Sequence, residues 1–112
     1  MKKSIHNFYS DKELKNLGFK KIGKNVKVSK KSSIYYPDGI TIGDNSRIDD
    51  FAILSGKVLI GRNVHFAAHS IVNSGKKLIE FKDFSGLAFA GKVLGISDDY
   101  SGNSMTNPTV DK

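Results

Sequence analysis

Two histidines, His65 and His69, lie in the stretch IGRNVHFAAHSIV and are the first candidates for chemistry in this chain. The sequence of 112 residues contains no cysteine, which excludes a thiol nucleophile, a thiolate metal site and a disulfide framework. Hydroxyl, carboxylate, imidazole and amine groups remain. An imidazole titrates near neutral pH and can take a proton from an attacking amine or hydroxyl group. The alternative is that both histidines are ordinary surface residues.

Two aspartate pairs and a tyrosine are further candidates. Asp49 and Asp50 stand in RIDDF, and Asp98, Asp99 and Tyr100 stand in SDDYSG. A carboxylate could orient an imidazole or hold a polar substrate, and the tyrosine ring could stack on a substrate. Aspartates beside glycine and serine also cap turns, and the sequence leaves both interpretations open for each pair. No combination of residues predicts a metal site.

A six-residue periodicity indicates which elements position these side chains. An α-helix would space its apolar residues by three and four, and a long amphipathic strand would alternate throughout. Neither pattern fits. Every sixth residue is apolar in three successive runs, although only 38% of the chain is hydrophobic. These positions are Ile22, Val28, Ile34 and Ile40; Ile42, Ile48, Leu54, Ile60, Phe66, Val72 and Leu78; and Phe81, Leu87 and Val93.

A second set of mostly small residues precedes the first set by two positions. Residues i and i+2 of a strand face the same side, so each pair faces one interior. Short strands joined by corners, three to a turn, predict an all-β parallel β-helix with coils of ~18 residues. We expect about four coils, at 22–39, 42–59, 60–77 and 81–98, with projecting loops at 40–41 and 78–80. The second set is Val26, Ser32, Ser46, Ala52, Val58, Val64, Ser70, Ser85 and Gly91.

The same alternation places both histidines on the outside. His65 lies between the inward residues Val64 and Phe66, and His69 precedes the inward Ser70. The glycines and asparagines of IGKN, IGDN and IGRN are expected at corners, where they tolerate the positive φ that a tight turn demands.

The N-terminal part of the chain differs in composition from the rest. The first 31 residues hold ten of the 16 lysines, and SDKELKNLG predicts a short helix that begins at Ser10, with Glu13 completing the cap, and ends at Gly18. We therefore expect an N-terminal segment at 1–21, the β-helix at 22–98 and a C-terminal tail at 99–112. Scattered lysines with only two arginines do not favour nucleic-acid binding. No stretch is apolar enough for a signal peptide or a membrane span, so a cytoplasmic location is expected.

Two groups of motifs carry a resemblance to a known family. IGKNV, IGDNS and IGRNV resemble the repeats of the hexapeptide acyltransferases. RIDDFAILSG, VHFAAHS, DFSGLAF and SDDYSGNSMTNPTV are similar to the branch that acylates nucleotide-linked, capsule or lipopolysaccharide sugars. The resemblance implies a left-handed β-helix, acetyl-CoA as co-substrate, O- or N-acetylation of a sugar, and a homotrimer. It also implies that His65, in VHFAA, is the general base. The aspartate pairs, His69 and Tyr100 remain the candidate contacts to the sugar.

The chain departs from the family pattern at its C-terminal end. Relatives continue beyond TNPTV into further coils that bind acyl-CoA, whereas this sequence ends at Lys112. A second hypothesis is therefore a catalytically inactive β-helix segment with a structural or sugar-binding role. NSGKKLIEF also replaces a glycine-rich stretch of the relatives and places Lys76 and Lys77 at a loop or corner.

Overall fold

The computed structural model describes residues 7–95 and shows a left-handed parallel β-helix of four coils. Each coil contributes one short strand to each of three parallel sheets, and the chain passes from sheet to sheet at corners. The predicted fold is thereby confirmed. Because a parallel strand cannot follow its neighbour through a hairpin, every coil must travel once around the prism before it pairs with the coil below.

The strands follow one another in a regular order. The first coil contains β1 (Lys21–Ile22), β2 (Lys27–Val28) and β3 (Ser33–Tyr35); the second β4 (Ile40–Ile42), β5 (Arg47–Ile48) and β6 (Ile53–Ser55); the third β7 (Val58–Ile60), β8 (His65–Phe66) and β9 (Ile71–Asn73); and the fourth β10 (Ile79–Phe81), β11 (Gly86–Leu87) and β12 (Lys92–Leu94). The first sheet is β1, β4, β7 and β10; the second is β2, β5, β8 and β11; the third is β3, β6, β9 and β12.

One short helix, α1 (Asp11–Leu17), precedes the coils, as the sequence predicts. The Ser10 side chain accepts a hydrogen bond from the backbone N–H of Glu13, whose carboxylate in turn accepts one from the Ser10 backbone. Gly18 ends the helix with φ at 88°. Leu14 is buried in the hydrophobic core, so the helix packs against the prism. A 3₁₀ turn, Pro37–Gly39, lies between β3 and β4.

The core includes three stacked columns of side chains, one for each sheet. Strand register places the residues of a column directly above one another, and most of them are fully buried. Full burial of one such side chain stabilises the fold by about 1.5–3 kcal/mol. The columns are Ile22, Ile42, Ile60 and Phe81; Val28, Ile48, Phe66 and Leu87; and Ile34, Leu54, Val72 and Val93.

The periodicity fails at Leu78, where the sequence predicts an inward residue. Leu78 is 60% exposed, and Phe81 occupies the inward position above Ile60. The corner between the third and first sheets contains residues 74–78 at this level but only 56–57 one coil lower. The longer corner shifts the repeat. The expected loops at 40–41 and 78–80 lie a few residues earlier, at 36–39 and 74–78, and both of these corners are longer than the one at 56–57.

The corner asparagines have the predicted conformation, but the glycines do not. Asn25, Asn45 and Asn63 have φ between 55° and 62°, in the left-handed region. The glycine of IGDN, Gly43, lacks a positive φ; a Cβ there would lie 2.6 Å from the backbone of Gly61 in the next coil. Close stacking of coils therefore explains the glycine, and the turn conformation explains the asparagine.

Candidate active site

The second sheet presents an outward column of side chains that includes His65. Lys27, Arg47, His65 and Gly86 stand in register on β2, β5, β8 and β11. The His65 side chain is 53% exposed, as the alternation of the sequence predicts. A Cβ at Gly86 would collide with the carbonyl oxygen of His65, so the face above the imidazole carries no side chain at that position.

Asp49 joins His65 to a third residue that the sequence did not single out. His65 Nε2 lies 2.7 Å from Asp49 Oδ2. Arg47 donates from Nε to Asp49 Oδ1 at 2.6 Å and from Nη2 to Oδ2 at 3.3 Å. Both carboxylate oxygens are engaged, and the Asp49 side chain is only 19% exposed. The three residues form a continuous hydrogen-bonded network on the outer face of the second sheet.

The ionisation of Asp49 follows from this network. Burial raises the pKa of the Asp49 carboxyl, but the hydrogen bonds from Arg47 and His65 outweigh it and hold the pKa below its usual value. Asp49 is therefore a carboxylate at neutral pH and can only accept hydrogen bonds. A neutral His65 must then carry its proton on Nε2, which leaves the lone pair on Nδ1.

His69 lies in a different environment, at the corner between the second and third sheets. Its φ is 63°, and its ring stacks on Phe51 with centroids 5.2 Å apart and meets Phe89 edge-on at 5.4 Å. Lys31 continues this exposed ridge, with its Nζ 6.0 Å from the centroid of the Phe51 ring. The structure thus separates His69 from the network of His65.

Asp50 has a different partner from Asp49 and contacts the first coil. The buried Ser29 donates its hydroxyl to Asp50 Oδ1. A shallow cleft of about 240 Å³ opens beside this contact, lined by Phe8, Lys31, Arg47 and both aspartates. Asp50 therefore has a structural partner and also faces a space that a polar ligand could enter.

Three predicted site residues, Asp98, Asp99 and Tyr100, lie outside the described residues. Within 7–95, no group of three or more His, Asp or Glu side chains is arranged to hold a metal ion. No helix in that range is long and apolar enough to cross a membrane.

The sequence analysis did not identify Arg47 as a site residue. Arg47 lies one coil of ~18 residues before His65, in a repeat that stacks equivalent positions. That spacing was the signal that could have identified it.

The sequence pattern of the bacterial transferase hexapeptide family, with six repeats, matches residues 39–74. This is the stretch from the end of the 3₁₀ turn to the corner after β9, and it includes the whole His65, Asp49 and Arg47 network. Residues 39–74 thus carry the repeat pattern of that family.

Two acyltransferases are similar to this chain in sequence, and one of them is also similar in structure. The chain is 40% identical over 101 residues to dTDP-4-amino-4,6-dideoxy-D-glucose acyltransferase of Escherichia coli, an alignment that covers 88% of this chain and 52% of that protein. It is 48% identical to AntD, an N-acyltransferase from Bacillus cereus, solved in complex with dTDP and 3-hydroxybutyryl-CoA; the TM-score is 0.82, with 96% of this chain and 57% of AntD covered. The chain thus spans about half the length of these relatives.

A second AntD structure contains an amino sugar. A variant of AntD with one serine replaced by cysteine, in complex with dTDP-4-amino-4,6-dideoxyglucose and coenzyme A, gives a TM-score of 0.83 at 48% identity, with 96% of this chain and 58% of that one covered. This variant of AntD therefore binds coenzyme A and a nucleotide-linked amino sugar.

Proposed function

We propose that this chain takes part in acyl transfer from an acyl-CoA to a nucleotide-linked sugar. The observation that carries the proposal is the His65–Asp49 pair, which lies on the outer face of a hexapeptide β-helix whose relatives are named acyltransferases. The pair supplies what the chemistry requires, namely a basic nitrogen held by an ionised carboxylate.

The proposed reaction needs one base and two bond changes. The amine nitrogen of the sugar attacks the thioester carbonyl carbon, so that a C–N bond forms and the C–S bond breaks. The proton lost by the attacking amine passes to His65 Nδ1, and the imidazolium returns it to the departing CoA sulfur. Asp49 holds Nε2–H throughout and stabilises the imidazolium while it exists.

The acceptor is an amine in this proposal, although the sequence alone leaves a hydroxyl equally open. Support comes from the names of the relatives, which specify an amino sugar and an N-acyltransferase. The acyl group is less constrained: the sequence resemblance implies acetyl, whereas AntD was solved with 3-hydroxybutyryl-CoA. Asp49, Asp50, His69, Asp98, Asp99 and Tyr100 are the proposed sugar contacts.

We also propose that the chain forms a homotrimer through the outer face of the second sheet. Phe84 lies at the corner where the chain enters this sheet, and Phe51 and Phe89 lie at the corner where it leaves. All three rings are at least half exposed, at 68%, 51% and 69% respectively. Apolar surface of this kind on both sides of the His65 face favours a protein contact there. A neighbouring subunit would then complete the site around the imidazole.

The test is direct product detection. The chain is incubated with dTDP-4-amino-4,6-dideoxyglucose and either acetyl-CoA or 3-hydroxybutyryl-CoA, and the release of CoA thiol and the mass of the acylated sugar nucleotide are measured. We expect product with at least one donor and much less with His65→Ala. Binding of the sugar nucleotide without turnover, at millimolar donor, would instead support the inactive β-helix hypothesis.

A further inference from the structure

We propose that Arg47 is a positioning residue, which fixes the carboxylate of Asp49 and through it the tautomer and orientation of the His65 imidazole. The inference rests on the proposed function, because it assigns Arg47 to the same site. It goes beyond that function in naming a residue that acts without touching either substrate.

The first support is the geometry of the Arg47–Asp49 contact. The guanidinium uses Nε on Oδ1 at 2.6 Å and Nη2 on Oδ2 at 3.3 Å, and the second of these oxygens is the one that accepts from His65 Nε2. Two parallel contacts fix the plane of a carboxylate, which a single contact does not. The χ2 torsion of aspartate is otherwise broad, so an unheld Asp49 could turn Oδ2 away from the imidazole.

The second support is that Arg47 is itself held in place. Its backbone stands in register with His65, one coil lower on the second sheet. Its guanidinium carbon lies 5.9 Å from the centroid of the Phe8 ring, within the usual range of a cation–π contact. Arg47 therefore lies between the N-terminal segment and Asp49, and the order of contacts is Phe8, Arg47, Asp49 and His65.

The third support is the exposure of the imidazole. The His65 side chain is 53% exposed, and the hydrogen bond from its ring to Asp49 is the contact that ties it to the prism. The orientation of His65 thus depends on Asp49, whose orientation depends on Arg47. A lysine could supply the positive charge but not the planar two-point contact.

The test measures the imidazole directly and needs no substrate. In ¹H–¹⁵N correlation spectra at about pH 8, where an imidazole is mostly neutral, the ring nitrogens report which of them carries the proton. His65→Ala identifies the signals of His65. We expect Nε2–H in the wild type, and a mixture of the two tautomers in both Arg47→Gln and Arg47→Lys.

Kinetics give the second readout. Displacing a catalytic group slightly can lower the rate on the order of 10²-fold, so we expect Arg47→Gln to lower kcat on that scale while KM for acyl-CoA stays nearly unchanged. A fall in folded fraction would not produce this separation once rates are normalised to folded protein by circular dichroism.

Arg62 provides a matched control, since it is the only other arginine in the sequence. Its Nε lies 3.4 Å from Asp83 Oδ2, and its guanidinium lies 5.2 Å from the centroid of the Phe84 ring, so it has the same kinds of partner. Arg62→Gln removes the same charge and should leave the His65 tautomer as in the wild type.

Three results would overturn the inference: a wild-type tautomer in Arg47→Gln, an equal change in Arg62→Gln, or wild-type behaviour of Arg47→Lys, which would show that charge alone suffices. If no variant and not even the wild type transfers an acyl group, the proposed function fails, but the spectra still decide whether Arg47 positions His65.

Discussion

His65 and His69 lie on the same coil in different surroundings, and substitution by alanine should separate their roles. His65 binds an ionised aspartate and keeps one ring nitrogen open, whereas His69 stacks on Phe51 and meets Phe89 edge-on. Loss of a general base costs about 10²- to 10⁴-fold in rate. We expect that loss in turnover for His65→Ala, with little change in sugar affinity, and a much smaller loss for His69→Ala. Steady-state rates and circular dichroism of both variants provide the measurement.

Equal effects of the two substitutions would contradict the assignment of His65. Retention of most activity by His65→Ala would do the same, and would favour direct attack by the sugar amine without a protein base. The comparison is controlled within the chain, because both residues are exposed imidazoles on the third coil.

Asp49 should make stability depend on pH in a defined direction. Its folded-state pKa is lowered, so its contribution to the free energy of unfolding is fully present above the unfolded value of ~3.9. The contribution is lost as the pH falls through the lower folded value. We expect the difference in unfolding free energy between wild type and Asp49→Asn to be constant above about pH 5 and to shrink below about pH 4. Urea denaturation of both proteins across this pH range measures the difference. If the difference grew on acidification, the hydrogen bonds of Asp49 with Arg47 and His65 would be contradicted.

The sequence predicted the outward placement of both histidines because strand alternation depends only on neighbouring residues. It did not predict that Asp49 binds His65 while Asp50 binds Ser29, since adjacent aspartates look alike in a sequence and differ only in what lies near them in space. Arg47 was missed for a related reason. Its partner Asp49 is only two residues away in the sequence, but the role of this pair depends on His65, which lies on the next coil.

At the scale of the elements, the register of the first sheet can be tested with two aliphatic residues. Ile60 is 1% exposed between Ile42 and Phe81, while Leu78 is 60% exposed in the corner before β10. We expect Ile60→Ala to lower the unfolding free energy by about 2–5 kcal/mol through lost burial and a cavity. Leu78→Ala should change it by less than about 0.5 kcal/mol. Urea denaturation at one protein concentration measures the unfolding free energy of both variants. A large decrease for Leu78→Ala would mean that Leu78 is an inward residue, as the six-residue periodicity predicts and the structure contradicts.

The elements were predictable where the repeat is regular and not where a corner changes length. Each strand is only two or three residues long, so its identity comes from the residues stacked on it rather than from local propensity. Stacking repeats the inward pattern, which is why Ile48, Phe66 and Val72 were placed correctly. The only buried residue of the corner at 74–78 is the polar Ser74, so no apolar inward residue marked the extra length of this corner. The handedness of the coil came from the family resemblance rather than from spacing.

At the scale of the whole molecule, the aromatic corners predict self-association through the face that carries His65. Phe51 and Phe89 flank the second sheet on one side, and Tyr36, at 70% exposure, lies at the opposite corner of the prism, between the third and first sheets. If three copies pack through the second sheet, burial of Phe51 and Phe89 stabilises the trimer and burial of Tyr36 does not.

Sedimentation equilibrium at micromolar concentration should therefore give three times the chain mass of 12.3 kDa. The double substitution Phe51→Ser and Phe89→Ser should shift the equilibrium toward monomer, because it removes two exposed rings that would lie in the interface. Tyr36→Ser removes a comparable exposed ring elsewhere and should leave the mass unchanged. A monomeric wild type would reject the trimer and the shared site together, whereas equal dissociation by both variants would place the interface on another face. Since His65 faces the proposed contact, turnover per chain should fall with dilution in parallel with the loss of trimer.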